Sequence, residues 1–107
     1  MPADKIFEAL ASAQRRKILA YLSKTRLTTS ELARRFAMTA PSMSRHLSVL
    51  EHAGLVSSSR QGQHVLYQLN SDNLVNTLTG FALEICPLAG PLKRESRALA
   101  KRRAASE

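Results

Sequence analysis

Apolar residues recur at the spacing of an amphipathic helix in five stretches of the chain. These positions are Ile6, Phe7 and Leu10; Ile18, Leu19 and Leu22; Leu32 and Phe36; Met43, Leu47 and Leu50; and Leu74, Leu78, Phe81 and Ile85. Spacings of three, four and seven residues place side chains on one face of a helix. We therefore expect five helices, the fifth of which ends before Pro87 because proline does not continue a helix.

Residues that cap helices stand where four of these helices should begin. Ser12 precedes the second helix, and Thr28 and Glu31 have the spacing of a capping box for the third. Thr39 takes the capping position before the fourth helix, and Ser71 takes it before the fifth. Because the third and fourth helices are short and joined by a brief turn, they indicate a helix-turn-helix, whose second helix enters the major groove of DNA.

The spacing of apolar residues changes after Gly54, the glycine that ends the fourth helix. Residues 55–60 and 64–69 are two β-prone runs separated by Gln61-Gly62-Gln63, which is typical of a hairpin. The expected fold class is mainly α with a small β-hairpin wing. It is a winged helix-turn-helix of about five helices and a two-stranded wing.

The chain is strongly basic, with 16 Lys and Arg residues against 8 Asp and Glu residues and a formal net charge of +8. A polyanion such as double-stranded DNA is therefore the expected partner. We expect one DNA-binding and dimerisation domain at residues 1–87, followed by a basic, partly ordered tail at residues 88–107. No apolar run approaches the roughly 20 residues that cross a bilayer, so we expect a cytoplasmic protein with no membrane contact.

The exposed face predicted for the fourth helix is small and rich in hydroxyl groups. Small side chains allow a helix to lie deep in the major groove, and an arginine can bind a guanine edge through two hydrogen bonds. Polar residues that flank the hairpin turn can reach a phosphate or the minor groove. The candidates are Thr39, Pro41, Ser42, Ser44, Arg45 and Ser48 on the helix, and Arg60, Gln63 and His64 on the wing. The alternative for both sets is an ordinary solvated surface.

Four segments give the chain a resemblance to the ArsR/SmtB family of repressors over residues 4 to about 85. The pattern S-x-S-x-H-L-x-x-L-x-x-A-G-L-V in the last long segment is specific, because it joins recognition helix, glycine stop and first wing strand. The segments are Ala9–Leu19, Ser30–Ala33, Ser42–Val56 and the hairpin from Gly62 to Tyr67.

This resemblance implies a homodimer in which the first and fifth helices form the interface and two recognition helices bind an inverted repeat. Matched by position, the family's DNA-contacting residues fall on Ala40, Pro41, Ser42, Ser44 and Arg45. The candidate interface residues are Ile6, Phe7, Leu74, Leu78, Phe81 and Ile85. The apolar stripe of the fifth helix supports this assignment, because it lies outside the helix-turn-helix core. Packing of that stripe within the chain is the alternative.

Metal sensing is not expected, although many members of the family sense metals through the third or fifth helix. The third helix reads ELARRF from Glu31 to Phe36, and the fifth has no histidine. A metal site needs three or four converging donors, so no metal and no cofactor is expected. His46 is interpreted as a half-buried hydrogen-bonding residue. Cys86, the single cysteine, is interpreted as a partly buried small residue.

Catalysis is not expected either, because Ser44 and His46 lie two residues apart on a helix and point in different directions. The sequence therefore predicts a transcriptional repressor and not an enzyme. A protein-interaction adaptor that uses the fifth helix and the basic tail is the alternative. The inducer is left open between a small organic molecule, an oxidant acting on Cys86 and the protein's own concentration.

Overall fold

The computed structural model describes residues 2–106, with side chains described for residues 3–86 and 94–105. The order of elements follows the predicted order of helices and wing. The elements are α1 (Pro2–Leu10), α2 (Ala13–Leu22), β1 (Leu27–Thr28), α3 (Thr29–Arg35), α4 (Ala40–His52), β2 (Val56–Gln61), β3 (His64–Leu69) and α5 (Ser71–Ser106). The predicted fold class, a mainly helical winged helix-turn-helix, is confirmed.

One hydrophobic core holds the first four helices against the wing. Leu32 of α3, Met43 of α4 and Leu55 before β2 are fully buried there together with Ile18 of α2. All residues of this cluster lie before Asn76, where the chain divides into two compact units. Because the apolar stripe of α4 is buried in this core, its opposite face is presented outward.

The predicted caps of α2, α3 and α4 are confirmed. The Ser12 hydroxyl accepts a hydrogen bond from the backbone N–H of Arg15 at 3.3 Å. At α3, the Thr28 hydroxyl accepts from the Glu31 N–H at 3.1 Å, while the Glu31 carboxylate accepts from the Thr28 N–H at 2.9 Å. These bonds from Thr28 are the main reason why the pKa of Glu31 lies below its ordinary value. The reciprocal pair fixes the start of the first helix of the helix-turn-helix.

Two left-handed residues fix the ends of the recognition helix α4. Ala37 (φ 52°) lies in the turn before it, and Gly54 (φ 76°) follows its last turn. At Ala37 the backbone N–H donates to the Arg34 carbonyl at 3.2 Å, and after Gly54 the Leu55 N–H donates to the Leu50 carbonyl at 3.0 Å. Such bonds close the carbonyl end of a helix and turn the chain sharply. Both junctions of α4 are therefore defined by backbone geometry.

The wing contains one strand more than the sequence predicted. The three strands are antiparallel in the order β1-β3-β2, because the short strand β1 pairs with β3 through Leu27 opposite Tyr67. A two-residue strand shows no alternation of its own, so periodicity could not reveal it. At the hairpin tip Gly62 has φ 62° and occupies the position that a type II′ turn reserves for glycine.

The fifth helix does not end before Pro87, and this part of the sequence prediction was wrong. Helix α5 begins at Ser71, so Ser71 is its first residue and not its cap, and it continues to Ser106. Residues 94–105 are mostly Ala, Arg, Lys, Leu and Glu, which are strong helix formers, and they continue the helix despite the proline. The separate tail at 88–107 stays a prediction, and the outer limits of the predicted ranges, Met1 and Glu107, lie outside the described residues.

Candidate nucleic-acid interface

Helix α4 has one fully buried face and one exposed face. Met43, Leu47 and Leu50 are 0% exposed, as the sequence predicted. The candidate residues Thr39, Ala40, Pro41, Ser44, Arg45 and Ser48 are exposed, and Ser42 is half-buried. The helix therefore presents a narrow polar surface with one guanidinium group at Arg45.

Hydrogen bonds within the helix orient three hydroxyl groups of this surface. The Thr39 hydroxyl accepts from the Ser42 N–H at 3.2 Å and donates to the Ser42 hydroxyl at 3.0 Å. The Ser48 hydroxyl lies 3.3 Å from His52 Nδ1, which also lies 2.7 Å from the Ser48 carbonyl. Because these groups already have fixed neighbours, they offer a preformed pattern of donors and acceptors to a ligand.

The wing candidates lie together at the tip of the hairpin. Arg60 pairs with Val65, and Gln61 pairs with His64 across the turn. Arg60, Gln63 and His64 are all exposed. The wing tip thus carries a guanidinium, an amide and an imidazole on a short hairpin, which are groups that bind phosphate or sugar oxygens.

Arg15 connects α1, α2 and α4. Its Nε donates to the Ala9 carbonyl at 2.8 Å and its Nη2 to the Glu8 carbonyl at 3.1 Å, so it caps the end of α1. Its Nη1 lies 3.5 Å from His46 Nδ1. Burial, with a further contribution from the Arg15 charge, lowers the pKa of His46 below its ordinary value. The interpretation of His46 as a half-buried hydrogen-bonding residue is confirmed.

A polar network that the sequence did not reveal holds the end of α4 against the wing and the start of α5. The Gly54 carbonyl accepts from Asn73 Nδ2 at 2.7 Å and from Asn70 Nδ2 at 3.2 Å. Asn70 Oδ1 accepts from the Ser57 hydroxyl at 3.1 Å, and that hydroxyl accepts from Gln68 Nε2 at 3.2 Å. These partners are distant in sequence, and no spacing rule joins them. The network holds the recognition helix and the wing in one fixed relation.

The candidate interface residues fall into two groups. Ile6 is 1% exposed and belongs to the core of its own chain, and Leu74 is half-buried and packs against that core. Phe7, Leu78 and Phe81 are 38%, 36% and 37% exposed, and Ile85 is also exposed. Ile6 contributes to folding because its side chain lies on the inner face of α1. Among the candidate interface residues, the exposed ones provide apolar surface for contact with another molecule.

Cys86 is exposed, so the interpretation of this residue as partly buried was wrong. It lies on α5 beyond Asn76, where Leu83 and Ile85 are also exposed. Within the described part of the chain, no group of three or more His, Cys, Asp and Glu residues could hold a metal ion. Among those same residues, no helix has the length and apolar character needed to cross a membrane.

The pair α3 and α4, followed by the β-hairpin, defines a winged helix-turn-helix protein. Residues 10–58 match a family model described as a helix-turn-helix domain. The chain is 35% identical to the transcriptional repressor SdpR of Bacillus subtilis (strain 168), over 70% of this chain and 83% of that protein. The chain belongs to the ArsR/SmtB family of DNA-binding transcriptional regulators, as its resemblance implied.

Solved structures have the same architecture. A crystal structure of an ArsR family transcriptional regulator is 31% identical, with a TM-score of 0.72, and the match covers 81% of this chain and 89% of that one. A solution structure from Mycobacterium bovis, described as a homodimeric winged helix-turn-helix DNA-binding domain, is 23% identical with a TM-score of 0.66. That match covers 78% of each chain, and at this identity it shows a common fold.

Proposed function

We propose that this protein is a sequence-specific transcriptional repressor that binds an inverted-repeat operator as a homodimer. Helix α4 (Ala40–His52), together with its C-terminal capping residue Ala53, enters the major groove, and the wing at residues 60–64 lies on the flanking DNA. The observation that carries the proposal is the two-sided character of α4. Its buried stripe is anchored in the core, while its outer face carries small polar residues and Arg45.

Each group on this surface has a distinct role in the proposal. Arg45 reads a base edge, because a guanidinium can donate two hydrogen bonds to guanine. Ser42, Ser44 and Ser48 donate to or accept from bases and phosphates, while Ala40 and Pro41 allow close approach. Arg60 at the wing holds the DNA backbone, which positions the protein without reading sequence. The net charge of +8 supports long-range attraction to the duplex.

The homodimer is proposed from the exposed apolar side chains of α5 and from Phe7. In a monomer Leu78, Phe81 and Ile85 remain 36%, 37% and 46% exposed, whereas a subunit contact removes this apolar surface from water. The homodimeric description of the Mycobacterium bovis neighbour and the repressor activity named for SdpR support the same assembly and direction of regulation. Ile6 and Leu74 are left out of the proposed contact because they serve the core of their own chain.

Four further expectations stay proposals. The protein works in the cytoplasm, it has no catalytic role, and it uses no metal cofactor. The trigger that controls repression is a small organic molecule, an oxidant acting on Cys86, or the protein's own concentration. We do not extend the proposal to a protein-interaction adaptor.

A pair of arginine variants tests the division between base reading and backbone contact. The operator is first obtained by selecting bound sequences from random duplexes. Arg45→Ala should weaken operator binding by about 1–3 kcal/mol with little effect on random DNA. Arg60→Ala should weaken binding to both duplexes and reduce the salt dependence. Lys24→Ala, which removes an exposed positive charge between α2 and β1, serves as the control. Equal losses on both duplexes for Arg45→Ala would refute the role of α4 in base reading.

A further inference from the structure

A small cleft with two guanidinium groups lies between α2 and α4. Its volume is about 220 Å³, and it is lined by Arg15 of α2 together with Ser42, Arg45, His46 and Val49 of α4. None of these lining side chains is a carboxylate. The cleft therefore combines positive charge, a hydroxyl and an imidazole, which are groups suited to an oxyanion.

Arg15 is held in place but keeps donors for a ligand. A guanidinium has five N–H donors, and three of those in Arg15 point to the Ala9 carbonyl, the Glu8 carbonyl and His46 Nδ1. One N–H on each terminal nitrogen remains. Because its other bonds fix the plane of the group, binding an anion there costs little side-chain entropy. The side chain is half-buried, so its charge is less screened than that of a free surface arginine.

We propose that this cleft binds a phosphate oxyanion, and that the backbone of bound DNA supplies it. The inference rests on the proposed function and adds to it a contact from α2, outside the helix-turn-helix. Arg45 joins the two surfaces, because it lies on the exposed face of α4 and also lines the cleft. A duplex that receives the start of α4 in its major groove brings a strand of phosphates beside that helix.

The first turn of α4 adds a further attraction for an anion. Ser42 lies in that turn, where the aligned peptide dipoles of the helix make its end partly positive. Glu8 of α1 lines a neighbouring cleft that Arg45 also borders, together with Lys5, so Glu8 is the carboxylate that opposes anion binding. Two arginines and the helix end outweigh this single carboxylate. An anion between Arg15 and Arg45 also relieves the repulsion between them.

His46 supplies a direct reporter of the bound anion. In the free protein, burial and the Arg15 charge hold the pKa of His46 below its ordinary value. Arg15 from α2 and Arg45 on the same helix line the cleft with His46, and Lys5 and Glu8 from α1 line the neighbouring cleft that Arg45 also borders. A phosphate in the cleft offsets the effect of Arg15, so the pKa of His46 should rise when the cleft is filled.

The matched variants Arg15→Gln and Arg16→Gln test the contact on DNA. Both remove one charge from the start of α2, and both lose a bond to the end of α1, because Arg16 Nη1 donates to the Leu10 carbonyl at 2.6 Å. Arg16 does not line the cleft. Arg15→Gln should weaken binding to operator and random duplexes alike and reduce the slope of log K against log salt by about 1. Arg16→Gln should keep the wild-type slope.

Equal slopes for the two variants would overturn the inference, while a wild-type preference for the operator over random DNA would keep the proposed function intact. A wild type without that preference would instead refute the proposed function. Because Arg15→Gln removes contacts to α1, thermal unfolding is measured for both variants. An NMR titration of His46 in the wild-type protein needs no substitution, so it tests the contact even if Arg15→Gln does not fold.

Titration of the His46 ring signals by NMR provides this second test. The pKa of His46 should rise on adding operator duplex, and an unchanged value would overturn the inference. Inorganic phosphate is added in a separate titration to distinguish the source of the anion. A rise with duplex, with or without a rise with inorganic phosphate, supports the DNA contact. A rise with inorganic phosphate alone would refute the DNA backbone as the source.

Discussion

Helices α4 and α5 carry large apolar side chains at similar spacing, yet the two stripes have opposite surroundings. Met43, Leu47 and Leu50 of α4 are completely buried. Leu78 and Phe81 of α5 are 36% and 37% exposed, and other apolar residues of α5, including Leu83, are more exposed still. The first stripe is used to fold the chain. The second remains available for contact with another molecule, which in this account is a second copy of the protein.

This difference shows that helical periodicity identifies a buried face without identifying what buries it. A stripe within residues 2–76 finds partners in its own chain, because four helices and the wing surround it. The stripe beyond Asn76 does not belong to that core cluster. Sequence pattern alone gives the same prediction for both, so exposure in the folded chain is the observation that separates folding from assembly.

The largest effect is expected from Leu78→Glu, which places a charge on the proposed subunit contact. An unpaired carboxylate at a buried contact costs several kcal/mol, so the dimer should dissociate and operator binding should be lost. Sedimentation velocity measures the change in mass. Leu83→Glu is the matched control, because Leu83 is 62% exposed and lies on a different side of the helix. A dimeric Leu78→Glu protein that binds the whole operator would show that the interface lies elsewhere.

The next largest effect is expected from Leu47→Ala in the buried stripe of α4. Removing a fully buried leucine side chain leaves a cavity and should lower the free energy of unfolding by about 2–5 kcal/mol. Denaturant unfolding measures this value. Leu83→Ala should change the free energy of unfolding by no more than about 0.5 kcal/mol, because most of that side chain is already exposed. Similar losses for the two variants would contradict the contrast between the helices.

The smallest effect concerns His46, at the border between the buried and exposed faces of α4. Its pKa in the folded protein is lowered, so the unfolded chain binds the proton more readily. Stability should therefore fall as the pH decreases through the ordinary imidazole range, and this loss should be smaller in His46→Gln. Thermal unfolding of both proteins between neutral and mildly acidic pH measures the difference. Parallel curves would show that the imidazole does not contribute.

Much of the fold could be predicted because its signals are local. The caps at Ser12, Thr28 and Thr39 follow from short-range hydrogen bonding, and the stop at Gly54 follows from backbone sterics. Strand β1 could not be predicted, because its pairing partner is about 40 residues away and two residues have no periodicity. The extent of α5 was missed because Pro87 was given more weight than the helix-forming residues after it.

The candidate site was predictable only in part. The exposed positions of α4 and the wing follow from the buried stripe and the turn, so their residues could be named from sequence. Ile6 was assigned to the interface because the family resemblance implied a contact through the first helix, and the sequence does not show that this side chain faces the core of its own chain. The hydrogen bonds of Arg15 to the end of α1 and to His46 could be identified only from the folded structure.

Footprinting of the full protein on the DNA upstream of its own gene is the decisive experiment for operator binding by a dimer. A dimer with one exposed recognition helix per subunit should protect two half-sites of an inverted repeat, with centres about 10–10.5 base pairs apart or a multiple of that distance. Leu78→Glu should abolish this paired protection at the same protein concentration. A wild-type footprint confined to one half-site, or uniform coating of the fragment without a preferred site, would contradict the account.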